Sequence, residues 1–211
     1  MNLILSVRSI LVIALLLLMA GCAGTTQKGE EEKALQKISC ISVVPAVPLS
    51  EAEGALARQQ KTELEQGTVL IDRVIGDELA GVADVRILNS TQMEGLLSDA
   101  GGGRLAWIKS IARGSGCDAV LYVTVKRYRE RVGGELAAGQ PASASFDMTL
   151  VHGESGVRLW STSFDETQEA LFSNLLSMKK ASSRGFKWIS VEQMVSEAVR
   201  ARLAECPYLK R

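Results

Sequence analysis

Histidine occurs once in the chain, at position 152, and no two cysteines stand as CxxC. A histidine-rich metal centre, a zinc ribbon and a thioredoxin-like redox motif are therefore unsupported. Neither sign of charge dominates: 24 Lys and Arg balance 24 Asp and Glu, so no global field points to nucleic acid. Aromatic residues are sparse, at 5%. No serine sits in a nucleophile-elbow pattern. Gly101-Gly102-Gly103 lacks the Lys and Ser/Thr of a phosphate loop and reads as a helix terminator. His152 falls in a Gly-flanked turn, where a solvated residue is the simpler reading than a catalytic base. Asp165 and Glu166 are strand neighbours that point to opposite faces, a poor geometry for paired carboxylates. The sequence thus offers no catalytic residue, no cofactor site and no metal site, and the expectation is a protein that is not an enzyme.

What is present begins at the N-terminus. Asn2 to Arg8 form a short segment whose one formal charge is Arg8, and Ile10 to Met19 are almost wholly apolar. That run suits a signal peptide and falls well short of the roughly 20 apolar residues a membrane-spanning helix needs. It ends in Met19-Ala20-Gly21-Cys22, which resembles the lipobox of bacterial lipoproteins. Residues 1–21 read as a cleaved signal and Cys22 as the thiol that takes the lipid. Acyl chains there give stable anchoring, since each buried methylene adds roughly 0.8 kcal/mol. Ala23 follows, and by resemblance to lipoprotein sorting in Gram-negative bacteria the absence of Asp at that position implies the outer membrane, with the domain facing the periplasm. Residues 22–37 continue as a polar tether with no apolar period, with a typical end-to-end distance of about 20 Å and a limit near about 50 Å.

From residue 38 to 211 the chain is long enough for one α/β domain with a substantial core. Ile38–Val47 reads as a first strand stopped by Pro45 and Pro48. A polar helical stretch over about 50–66 follows, and Gly67 introduces a clearer helix over 68–80. Val85–Leu88 is a short strand, and Asn89 or Ser90 caps the next helix. Leu105, Ile108 and Ile111 give one face of a further helix that ends at Gly114 and Gly116. Ala119–Val125 is nearly continuous in apolar residues, as a central strand requires. Charge dominates Lys126–Val132, and Gly133–Ala142 reads as a loop. Ser143–Val151 and Val157–Asp165 alternate around a turn and predict an antiparallel hairpin. Ser190 and Gln193 form a capping-box signature for a last helix. The prediction is a three-layer domain with a mixed sheet of about five strands, parallel first and antiparallel later, flanked by helices.

Ile41-Ser42-Val43-Val44-Pro45, Val85-Arg86-Ile87-Leu88 and Gly116-Cys117-Asp118-Ala119-Val120-Leu121 resemble one superfamily of envelope lipoproteins. It contains the penicillin-binding-protein activator LpoB, the curli-export lipoprotein CsgG and the N-terminal domain of TolB. Lys126-Arg127-Tyr128, Trp160 and Trp188 fit the same pattern over roughly residues 38–205. The resemblance implies a non-catalytic domain that binds a partner in envelope assembly. Pore formation, which the curli exporter achieves with two spanning hairpins, is not implied, because neither 126–147 nor 165–190 offers two such runs.

Two features could serve binding. Arg127, Arg129 and Arg131 alternate along the central strand and so share a face. They suit an acidic partner or anionic headgroups, or else cross-strand pairing with Glu135, Asp147 or Asp165. Over 171–188, the apolar Leu171, Phe172, Leu175, Leu176 and Met178 precede Lys179, Lys180, Arg184, Phe186, Lys187 and Trp188. This stretch reads either as an aromatic-anchored, cationic contact loop or as a helix docked on the sheet with Trp188 beneath it. Cys40, Cys117 and Cys206 remain after lipidation; any two can pair in an oxidising compartment, or all three can stay reduced and buried. The leading expectation is an outer-membrane lipoprotein with a membrane contact through Cys22 and a protein partner in the envelope, of undetermined oligomeric state. Its rival is an oligomeric structural subunit of a secretion or export complex.

Overall fold

The computed structural model describes residues 38–49, 58–98, 101–133, 138–168 and 189–209. The expected signal, Cys22, the tether and the 171–188 stretch lie outside the described residues. The described chain folds into one mixed sheet with helices on both faces. Its strands are β1 (Ile41–Val43), β2 (Val47–Pro48), β3 (Val85–Ile87), β4 (Ala119–Arg129), β7 (Ser143–His152) and β8 (Arg158–Thr167). The order across the sheet is β3-β1-β4-β7-β8, with β2 also paired to β4. β3, β1 and β4 run parallel, and β4, β7 and β8 are antiparallel, as the sequence predicts. The first strand is shorter than expected and comes in two pieces. Pro45 has no N–H to donate and separates β1 from β2, while Pro48 stays in the sheet opposite Val125.

Helix α1 runs unbroken from Arg58 to Leu79, which corrects the expected break at Gly67. Gly67 falls in phase with Leu64, Leu70, Ile71, Val74 and Ile75, so it belongs to the core stripe. Helix α4 (Val191–Ala204) packs beside α1, with Met194, Val195, Val199 and Leu203 buried. These two helices cover Leu121, Val123, Phe146, Met148 and Leu150 of the sheet. Each large side chain fully buried there contributes about 1.5–3 kcal/mol.

Helices α2 (Ser90–Leu97) and α3 (Arg104–Ser115) lie on the opposite face, where Ile108, Ile111 and Ala112 pack on Val44, Val120 and Val151. Leu105 does not join that face; it is 47% exposed, near Gly156. The reciprocal capping box forms at Asn89 and Gln92. At α4 only half of one forms: Ser190 Oγ accepts from Gln193 N at 3.1 Å, and the Gln193 side chain turns to Glu197. Gly116 ends α3 in a left-handed conformation, φ 68°. Part of the predicted 133–142 loop is instead a small hairpin of β5 (Val132–Gly133) and β6 (Ala138–Gln140).

One disulfide links Cys40, just before β1, to Cys117, just before β4. Cys206 is free and buried, and burial pushes its thiol above the usual cysteine range. Among the described residues no helix is long and apolar enough to cross a membrane.

Candidate binding surfaces

Among the described residues, the sheet face under α2 and α3 is covered only where β4 begins and β7 ends. Towards Arg129 the same face is polar, and a bulge in β4 decides which residues it carries. Val125 lies opposite Phe146, but Arg127 lies opposite Ser145, so Lys126 is an extra residue in the strand. Lys126 and Arg127, although adjacent, therefore both project on the open face, and Tyr128 turns inward toward α1. Strict alternation would have sent Arg127 into the core and Tyr128 out.

Lys126 and Arg127 each have a partner on the neighbouring strands. Lys126 Nζ donates to Asp147 at 2.7 Å. Arg127 donates to Asp165 and, through Nε, to Ser143 Oγ at 2.5 Å. Ser145 Oγ donates to Asp165 at 3.2 Å, and Ser143 meets Thr167 at 2.7 Å. The Arg127 side chain beside Asp165 holds its carboxyl below the usual carboxylate range. Cross-strand pairing is thus the arrangement at Arg127. Arg129 is exposed at the strand end. Arg131 lies beyond β4, in the connection to β5, which corrects its expected place on the strand row. Phe172, Lys179, Lys180, Arg184, Phe186 and Trp188 lie outside the described residues.

A groove of about 500 Å³ opens on the other side, between α1 and the start of α4. Val69, 69% exposed, and Tyr128 give it an apolar floor; Glu65, Arg73 and Glu192 rim it. Arg73 Nη2 donates to Glu192 at 2.5 Å across the rim. Burial, reinforced by the carboxylates of Glu130 and Glu192, raises the Tyr128 hydroxyl above its ordinary value. Sequence reading did not find this groove. Its one signal was Gly67, whose missing side chain is what lets Tyr128 lie against the helix.

His152 occupies a smaller recess of about 280 Å³ with Arg113, Asp118 and Glu154, beside Cys117. Its Nδ1 accepts the Ser155 backbone N–H at 3.2 Å and meets Ser155 Oγ at 3.0 Å. The ring thereby closes the turn, and its lone pair is already in use. Asp118 takes the N–H and O–H of Ser39 at 2.7 and 2.6 Å, which hold its carboxyl below the usual range. Glu154 is bound by Arg113 at 3.0 Å. No group of three potential metal ligands exists among the described residues.

The fold is thus a three-layer α/β domain offering a polar sheet face and a mixed groove. Among solved structures it is similar to the PelC dodecamer from Paraburkholderia phytofirmans, at 15% identity over 82% of this chain and 89% of that one, TM-score 0.45. It is similar to lipoprotein GNA1162 from Neisseria meningitidis, at 21% identity over 80% and 99%, TM-score 0.43. It is also similar to the LpoB C-terminal domain from Salmonella enterica, at 15% identity over 67% and 96%, TM-score 0.34. No protein-family model and no curated protein matches the chain.

Proposed function

We propose that the chain is a lipoprotein anchored through Cys22 in the outer membrane. Its periplasmic domain does no chemistry and binds a protein partner in envelope assembly or in the regulation of peptidoglycan synthesis. The observation that carries this reading is the ordered series Arg8, apolar run, Ala20-Gly21-Cys22. The Cys40–Cys117 bond supports it, because disulfides persist outside the reducing cytoplasm. The groove at Val69 and Tyr128 supports a protein partner: an apolar floor with charged sides suits a short amphipathic segment.

Mass spectrometry of the native N-terminal peptide tests the anchor, which requires a chain beginning at Cys22 and bearing acyl groups. An intact Met1, or an unacylated Cys22, overturns it. A photo-crosslinking residue in place of Val69 tests the partner in intact cells. The expected result is a discrete adduct with an envelope protein, absent when the crosslinker replaces exposed Lys61 on the same helix.

A further inference from the structure

β8 is the edge of the sheet: among the described residues no strand lies on its outer side. An open edge presents a row of backbone donors and acceptors, and sequences usually blunt one with proline, charge or brevity. Here the strand runs ten residues, and its centre, Leu159-Trp160-Ser161-Thr162-Ser163-Phe164, has no charge, no proline and no glycine. Charge appears only at the ends, in Arg158, Asp165 and Glu166.

The sequence of this edge is complementary to itself. Set two copies antiparallel with Thr162 opposite Thr162, and Trp160 falls opposite the partner's Phe164, twice by symmetry. Trp160, Thr162 and Phe164 share the face above the main core, opposite Leu150, Met148 and Phe146. Aromatic cross-strand pairs are among the favourable ones in antiparallel sheets. On the opposite face Ser161 meets the partner's Ser163, hydroxyl to hydroxyl, and both are exposed in the single chain.

The strand's own bulge supplies the charge match. Leu150 pairs with Trp160 but Val151 pairs with Arg158, so Leu159 is the extra residue and Arg158 turns to the face of Val151. Asp165, opposite Ser145, is on that same face. In the Thr162-centred register the partner's Asp165 comes opposite the bulge, beside Arg158. Asp165 keeps 64% of its side chain exposed while bound by Arg127, so it can accept from a second guanidinium. Sliding the register by two residues in either direction sets Trp160 against Glu166 or against Thr162, and the aromatic pairs are lost.

We propose that a second copy of this chain pairs along β8 in this two-fold register and joins two sheets into one. The contact is isologous, so it closes at two copies. It stands independently of the lipid anchor. Confinement on one membrane would strengthen it by raising the effective concentration of its edges.

The register makes the test specific. Cys40 and Cys117 are bonded and Cys206 is buried, so with Cys22 replaced by Ser in every variant a cysteine added on β8 is the accessible thiol. In the full-length chain, in detergent under mild oxidation, Thr162→Cys is expected to give a covalent dimer. Ser161→Cys alone is expected to give none, and a mixture of Ser161→Cys with Ser163→Cys chains to restore it. Ser161→Lys combined with Ser163→Lys sets like charges opposite each other at solvated positions; it is expected to lower the Thr162→Cys dimer yield about tenfold without changing the circular dichroism. A Thr162→Cys chain that stays monomeric, an equal yield from Ser161→Cys alone, or a covalent ladder beyond two copies would overturn the proposal.

Discussion

Gly67 lies against Tyr128 with no room for a side chain between them: a Cβ on Gly67 would stand 2.9 Å from the Tyr128 Cβ and 3.0 Å from its Cγ. The atom in the way is close to the β4 backbone, so it cannot swing aside as the end of a flexible side chain would.

Two glycines of α1 therefore respond oppositely to alanine. In an unobstructed helix interior the change stabilises by about 0.5–1 kcal/mol. Gly76 has nothing within 4 Å, so Gly76→Ala is expected to deliver that gain. Gly67→Ala is expected to lose about 1 kcal/mol net, because overpacking a filled site costs about 1–3 kcal/mol. Urea unfolding of both variants measures this, and an equal gain from both would mean that Tyr128 does not rest on the helix.

The Cys40–Cys117 bond closes a loop of sequence separation 77. Replacing both with alanine is expected to cost about 2–4 kcal/mol of stability. In the native chain Cys206 is expected to resist alkylation until the domain unfolds, since it is buried and its thiol is held protonated. Urea unfolding reads the first point and peptide mapping after alkylation the second. Rapid native labelling of Cys206, or of Cys40 and Cys117 without reductant, contradicts this arrangement.

Two carboxylates set opposite pH dependences. Asp118 has a folded value below the ordinary 3.8, so its contribution to stability is complete above that value and disappears as pH falls through the lower one. Asp72 is raised above 3.8, chiefly by burial and against the hydrogen bond it accepts from Ala46 N at 2.8 Å. Its contribution is complete below 3.8 and is lost as pH rises through its folded value. Asp118→Asn is expected to soften the acid fall in stability, and Asp72→Asn to soften the fall on the alkaline side of the carboxylate range. Urea midpoints across the acid range distinguish them. Identical profiles for both variants would refute the assignment.

Much of the architecture was legible because burial imposes a period. The alternation in 143–151 and 157–165, the apolar run 119–125 and the stripe of the last helix each follow from which face is covered. What escaped has a different cause in each case. The Lys126 bulge adds a residue without changing composition, which hides Tyr128, and β4 ends at Arg129, so the alternate arginines misplace Arg131. Gly67 reads as a break because the sequence does not say what packs against a missing side chain. Three cysteines of unremarkable spacing cannot name a pair; only the parallel neighbours β1 and β4 bring Cys40 to Cys117. The groove at Val69 draws on α1, β4 and α4 at once, and no local pattern anticipates that meeting.

Cys40 immediately precedes β1, and its sulfur is joined to the chain that enters β4. Tension arriving along the chain from before residue 38 therefore reaches a covalent strut before it reaches β1, a strand of three residues. The load passes directly into the longest strand, at the centre of the sheet, and the first strand is spared from being peeled away. Reduction would move the point of failure to that short ladder, so a pulling measurement with and without reductant would register the bond as mechanical strength.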